Sequence, residues 1–196
     1  MMCATVNAVV IHMNFSQPIA SLNRRIILSF CVLLFCVTAF AQKFPDAYVG
    51  YWRGDLSIYK GSKVVQTVKF GLDVFPADSG RYDWIITYGD SAQDRRPYLL
   101  VPVDTAKGHW AIDEDNGIVI DMYITGSKVT SLFAVEGNVI QISYWREGDE
   151  LVMELFAYPE KEQSKTGKGT EESPDVKVWK FTGYQLGRMK LQKGMK

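Results

Sequence analysis

From Trp52 onward, apolar side chains recur at every second position, and Gly, Asn, Asp or Pro interrupts the pattern about every 8 to 12 residues. A helix places its apolar residues three or four apart, whereas a strand turns successive side chains to opposite faces, so this chain is predicted to be all-β. Trp52, Gly54, Leu56 and Ile58 alternate with Arg53, Asp55 and Ser57; after the Lys60-Gly61-Ser62 turn, Val64, Val68, Phe70, Leu72 and Val74 alternate with Thr67, Lys69 and Asp73. Further strands are expected at Tyr82–Tyr88, Tyr98–Val103, His109–Asp113, Ile118–Ile124, Lys128–Val135, Val139–Trp145, Glu150–Tyr158 and Val176–Met189, ten in all.

Short turns join these strands, among them Asp115-Asn116-Gly117, Thr125-Gly126-Ser127, Glu136-Gly137-Asn138 and Glu147-Gly148-Asp149. Their residues tolerate positive φ, so successive strands form an antiparallel meander. Open sheet edges invite unwanted pairing, and ten strands suffice to close an up-and-down β-barrel. The long break from Pro159 to Asp175 holds no large apolar residue and is expected to be a mobile loop.

The first 41 residues carry a different pattern. Asn23-Arg24-Arg25 precede an apolar run from Ile26 to Val37 that ends at Ala39-Phe40-Ala41, the layout of a cleaved secretion signal. The run is shorter than the ~20 residues that a membrane-spanning helix requires, and Met13 is an alternative start. The domain expected from 42 to 196 is therefore secreted, periplasmic if the source has two membranes.

That domain carries 20 basic and 22 acidic side chains, which excludes a phosphate-gripping excess of Lys and Arg and hence a nucleic-acid partner. Cys3, Cys31 and Cys36 all leave with the signal, removing disulfides, thiol nucleophiles and thiolate metal sites. His109 is the one remaining histidine, so neither a hydrolytic triad nor a histidine-rich metal centre is expected, and no cofactor is assigned. Asp113-Glu114-Asp115-Asn116-Gly117 is rich in oxygen ligands but lacks the spacing of a calcium loop, and reads as a charged hairpin tip. Asp121 and Glu154 sit in apolar strands and would form an acid–base pair only if both faced one cavity; alternation sends both outward. Arg95-Arg96 has the chemistry to hold a carboxylate at a barrel mouth, or to stand in a solvated loop.

Gly50-Tyr51-Trp52 at the first strand and Arg188 near the end of the last resemble the Gly-x-Trp and late-Arg pair of the calycin superfamily, the lipocalins and their relatives. The resemblance implies that Trp52 plugs one barrel end and that Arg188 packs across its ring, both as structural residues. The run Gly50-Tyr51-Trp52-Arg53-Gly54 is also similar to the start of ten-stranded haem barrels related to nitrobindin, but no histidine follows His109 to hold iron.

With Trp52 inward, alternation turns Trp84, Tyr88, Trp110, Met122, Phe133 and Met153 into the interior, together with Leu56 and Phe70. Trp, Tyr and Phe make up 21 of the 155 residues after the signal, more than a plain core needs. The expected function is a lipocalin-like, non-catalytic carrier of a small hydrophobic molecule. The alternatives are an envelope protein-interaction module with a filled barrel, working through loops such as 89–97 and 159–175, and a hydrolase using Asp121 and Glu154. An internal void of roughly 300 Å³ or more would mark the carrier; a filled interior with an exposed apolar patch would mark the interaction module.

Overall fold

The computed structural model describes residues 43–90 and 94–193; the expected signal at 1–41 lies outside them. Ten strands close into an antiparallel barrel: β1 (Gly50–Lys60), β2 (Lys63–Pro76), β3 (Tyr82–Tyr88), β4 (Arg95–Asp104), β5 (His109–Asp113), β6 (Val119–Thr125), β7 (Lys128–Val135), β8 (Asn138–Glu147), β9 (Glu150–Pro159) and β12 (Gly183–Leu191). Each strand from β1 to β8 pairs with its successor, and β12 closes the wall between β9 and β1.

The predicted final strand, Val176–Met189, is broken in two. Its first part, β11 (Val176–Val178), leaves the barrel and pairs with β10 (Ser164–Thr166) in a separate two-stranded ribbon. The cause lies in β9: Pro159 has no N–H, so the β9–β12 ladder ends at Ala157 and Gly183, where the Thr182 amide and hydroxyl both donate to the Ala157 carbonyl, at 2.8 and 3.1 Å. The stretch from 159 to 175, expected to be a loop, therefore contains a strand.

Directly paired residues share a face, so the register fixes the interior. Tyr144, Met153, Gly187, Leu56 and Val68 form one continuous inward row across β8, β9, β12, β1 and β2. Gly187 leaves room there for the Phe70 ring: a Cβ would stand 3.1 Å from it, and the ring would have to give by a few tenths of an ångström. Trp52, Leu56, Leu72, Val74, Trp84, Leu100, Met122, Val129, Tyr144, Leu151, Met153 and Met189 are fully buried. Each fully buried large apolar side chain contributes about 1.5–3 kcal/mol of transfer free energy.

One barrel end is stoppered by the segment that precedes β1. Phe44, two residues before a one-turn 3-10 helix (Asp46–Tyr48), and Tyr48, its last residue, press into the core; the Phe44 ring lies 5.1 Å from Tyr48 and 5.5 Å from Trp110. Tyr48 Oη donates to the Tyr144 carbonyl at 3.2 Å, and Trp52 Nε1 donates to the Tyr48 carbonyl at 2.7 Å. The other end, the barrel mouth, is rimmed by half-buried residues including Ile58, Tyr88, Phe133, Ile140 and Leu155.

Candidate functional site

Of the interior residues expected to meet a ligand, Trp84, Trp110, Met122 and Met153 belong to one contiguous core cluster. Trp84 packs edge-on against Tyr144 at 5.2 Å, and Trp110 against Phe44 and Tyr82. Tyr88 lies at the cluster's margin against Phe70, 5.2 Å away, and Phe133 is half-buried nearer the mouth. Burial raises the Tyr88 phenol above its ordinary pKa despite the Arg96 guanidinium, 5.6 Å from the ring centroid, which pulls it down. Arg95 and Arg96 are exposed, but they open β4 and do not stand in the solvated loop that was the alternative to a carboxylate grip.

Arg188 does not pack on Trp52. It points outward from β12 and bridges Glu147 and Glu150, each at 2.8 Å. The cation over the Trp52 ring is Arg146, 4.5 Å from the centroid, which also donates to the carbonyls of Ala47 at 2.9 Å, Gly148 at 3.2 Å and Glu150 at 3.2 Å. Parity decides the matter: Arg146 pairs with Leu151 and shares the inward face of Tyr144, whereas Arg188 pairs with the outward Asp55. The sequence held that signal in the alternation of β8.

Asp121 and Glu154 both face outward and each has its own partner. Asp121 meets His109 Nε2 at 2.7 Å, with the imidazole stacked on Tyr123 at 4.4 Å. Glu154 accepts from Tyr184 Oη at 3.1 Å. The Asp113–Gly117 segment is a hairpin tip closed by its own side chains: Asp113 accepts from the Asp115 amide and Asn116 from the Ile118 amide, both at 2.9 Å. Among the described residues no group of three His, Cys, Asp or Glu side chains is placed to hold a metal ion.

The wall itself has one weak seam. β6 and β7 pair only at Tyr123–Thr130, Ile124–Val129 and Thr125–Lys128, leaving Val119–Met122 and Ser131–Val135 without a partner across the seam. Ser131 faces inward there, and its buried hydroxyl has no hydrogen-bond partner among the described residues.

An aromatic-lined concavity lies on the outer wall. A cavity of about 510 Å³, open along one side, is lined by Gln141 of β8, Phe156 and Tyr158 of β9, and Trp179 and Phe181 of the segment between the ribbon and β12. Phe156 and Tyr158 form its floor because they occupy the outward positions of a strand whose Leu151, Met153 and Leu155 point in. Trp179 and Phe181 stand over them: Phe181 is 5.1 Å from Phe156, and Trp179 is 6.4 Å from Tyr158. Trp179 Nε1 donates to the Glu160 carbonyl at 3.3 Å, which fixes the indole beside the end of β9. Even so, Phe181 remains 63% and Trp179 41% exposed. These five residues were not singled out from the sequence. The readable signal was the pair of aromatics at outward positions of β9; the rest was hidden by treating 176–189 as one strand.

No protein-family model matches the chain, and no curated protein does. Among solved structures, a protein of unknown function from the DUF3598 family of Nostoc punctiforme is similar in fold, with a TM-score of 0.51 and 11% identity over 74% of this chain. The match spans 47% of that protein, about half its length. At this identity the likeness is one of fold alone; a ten-stranded antiparallel barrel is compatible with the calycin-like resemblance.

Proposed function

We propose that this protein is an exported, non-catalytic binding module that works through the aromatic surface outside its barrel, with the interior serving as core. The observation that supports this reading is the contrast between a lumen occupied by Trp52, Trp84, Tyr144, Met122 and Met153 and an open outer cavity bounded by four aromatic rings. Apolar surface left exposed in a contiguous group costs solubility and is characteristic of recognition sites. Export rests on the sequence of residues 1–41, and sequencing the N-terminus of protein taken from outside the cytoplasm tests it, with Gln42 expected first.

The outer-wall role is tested by immobilising the purified chain and passing over it the extracytoplasmic fraction of its source. The wild type retains a component that the double variant Trp179→Ala, Phe181→Ala loses. Equal retention by both would place the working surface elsewhere.

A second reading, a slender and mostly apolar ligand held in the mouth half of the lumen with one polar group on the unpaired Ser131 hydroxyl, draws on that hydroxyl beside the incomplete β6–β7 seam. Native mass spectrometry of protein from its own source separates the two: a co-purifying small molecule that survives the outer-wall substitutions favours the lumen.

A further inference from the structure

We propose that the outer cavity is one stretch of a linear saccharide-binding track and that its ligand is a neutral glycan chain. This rests on the outer-wall reading above and adds the ligand's chemistry. The register lines up Leu132, Gln141, Phe156, Tyr184, Tyr59 and Val64 directly across β7, β8, β9, β12, β1 and β2. At the usual inter-strand spacing this row runs about 24 Å around the barrel, one side chain wide. Its rings are continuous: Tyr59 to Tyr184 is 5.1 Å, Tyr184 to Phe156 is 4.9 Å, and Phe156 to Phe181 is 5.1 Å. The next row towards the plugged end, Thr130, Ser143, Glu154, Leu186 and Ser57, is mostly polar, so the aromatic strip has a defined border.

Three features select the ligand. First, the strip is narrow and long, which suits a chain of units better than a protein face, since stable protein interfaces bury ~800 Å² per partner in a broad patch. Second, the cavity is open along one side, so a bound molecule keeps one face in water. A wholly greasy ligand would leave half its surface exposed; a pyranose sets its C–H face against the rings and its hydroxyl edge into solvent. Aromatic faces carry the negative end of the ring quadrupole and attract weakly positive C–H groups. Third, no charged side chain lines the cavity, whose polar groups are the Gln141 amide and the Tyr158 hydroxyl. A donor-and-acceptor amide beside a stacking platform serves sugar hydroxyls, and the absence of cations disfavours uronic or sulfated chains.

The purified full chain should be titrated with cellohexaose, xylohexaose, chitohexaose and maltohexaose, with hexagalacturonate as the charged counterpart, by calorimetry and tryptophan emission. At least one neutral hexaose is expected to bind in the micromolar to low-millimolar range, with hexagalacturonate at least ten-fold weaker. Trp179→Ala and, separately, Phe181→Ala should each weaken binding at least ten-fold, Trp179→Phe should retain most of it, and Tyr123→Ala on β6 should leave it unchanged. Phe181 is exposed enough that its removal leaves the fold intact, so a null result cannot be blamed on misfolding.

Failure of every hexaose to bind at millimolar concentration overturns the saccharide assignment. If the double variant still loses a retained component in the immobilisation experiment, the outer-wall reading survives that failure with a different ligand, a protein included. If it loses nothing, both fall. Binding of hexagalacturonate as tight as that of the neutral chains overturns the selection for neutrality.

Discussion

Arg146 and Arg188 carry the same charge and stand two strands apart, yet their environments assign them opposite energetic roles. Arg146 is partly buried, stacked on Trp52, and bonded to three backbone carbonyls that join the plug to β8 and β9. Replacing it with Ala removes the stacked cation and leaves carbonyls unpaired, at an expected cost of about 2–4 kcal/mol. Arg146→Lys should not restore stability, because an ammonium cannot reproduce the planar fork. Arg188→Ala breaks exposed ion pairs and should cost about 1 kcal/mol or less. Urea midpoints of the three variants check the order. Tyr48 supplies a second residue-scale test. Burial pushes its phenol up to about 12, against the small opposing pull of Arg146. The unfolded chain ionises tyrosine near 10, so the plug's contribution is whole below pH 10 and is lost as pH rises towards about 12, at ~1.4 kcal/mol per unit. Thermal melts between pH 9 and pH 11 should fall more steeply for the wild type than for Tyr48→Phe.

At the scale of the strands, the wall is uneven. β1 and β2 are paired from Gly50–Val74 to Lys60–Lys63, whereas β6 and β7 share only the three pairs next to their turn. Amides without a ladder partner exchange quickly, so Val119–Met122 and Ser131–Val135 should include the fastest-exchanging backbone groups of the barrel, with β1 and β2 among the slowest. Hydrogen exchange followed by peptide mass spectrometry measures this directly. Strand content was legible in the sequence because alternation and turn residues are local: the boundaries of β3, β5 and β7 match the expected ranges. The split of the final strand was not legible, because it follows from where Pro159 ends its neighbour's ladder. The plug was equally hidden, since Ala47 and Arg146 meet only after the meander has brought them together.

For the molecule as a whole, inside and outside are chemically sorted. The lumen is mostly apolar, with Arg146 and Ser131 as inward polar residues, while the outer wall carries Arg53, Asp55, Lys69, Asp73, Arg188 and Lys190. Such a wall does not suit a hydrocarbon setting, where a midplane Arg or Lys costs about 2–4 kcal/mol; nor is any helix of the described residues long and apolar enough to cross a membrane. The same sorting predicts how substitutions divide. Met153→Ala, at the centre of an inward row, should cost about 2–5 kcal/mol, whereas Phe181→Ala should stay within about 0.5 kcal/mol. Chemical denaturation of both variants checks this separation between core and working surface. The burial of Trp84, Trp110, Met122 and Met153 was legible from the alternation within each strand; the register that gathers them into one cluster was not. The outer cavity was not, since it joins β8 and β9 to a segment that arrives from beyond the ribbon.

The placement of β12 between β9 and β1 governs assembly. The cylinder's last joint unites its first strand with its last, so the slowest search in folding is the one between Trp52–Tyr59 and Tyr184–Leu191. Until that joint forms, β1 and β9 are both bare edges, open to pairing with other chains. A polypeptide halted before Gly183 would remain a curled sheet with two sticky borders.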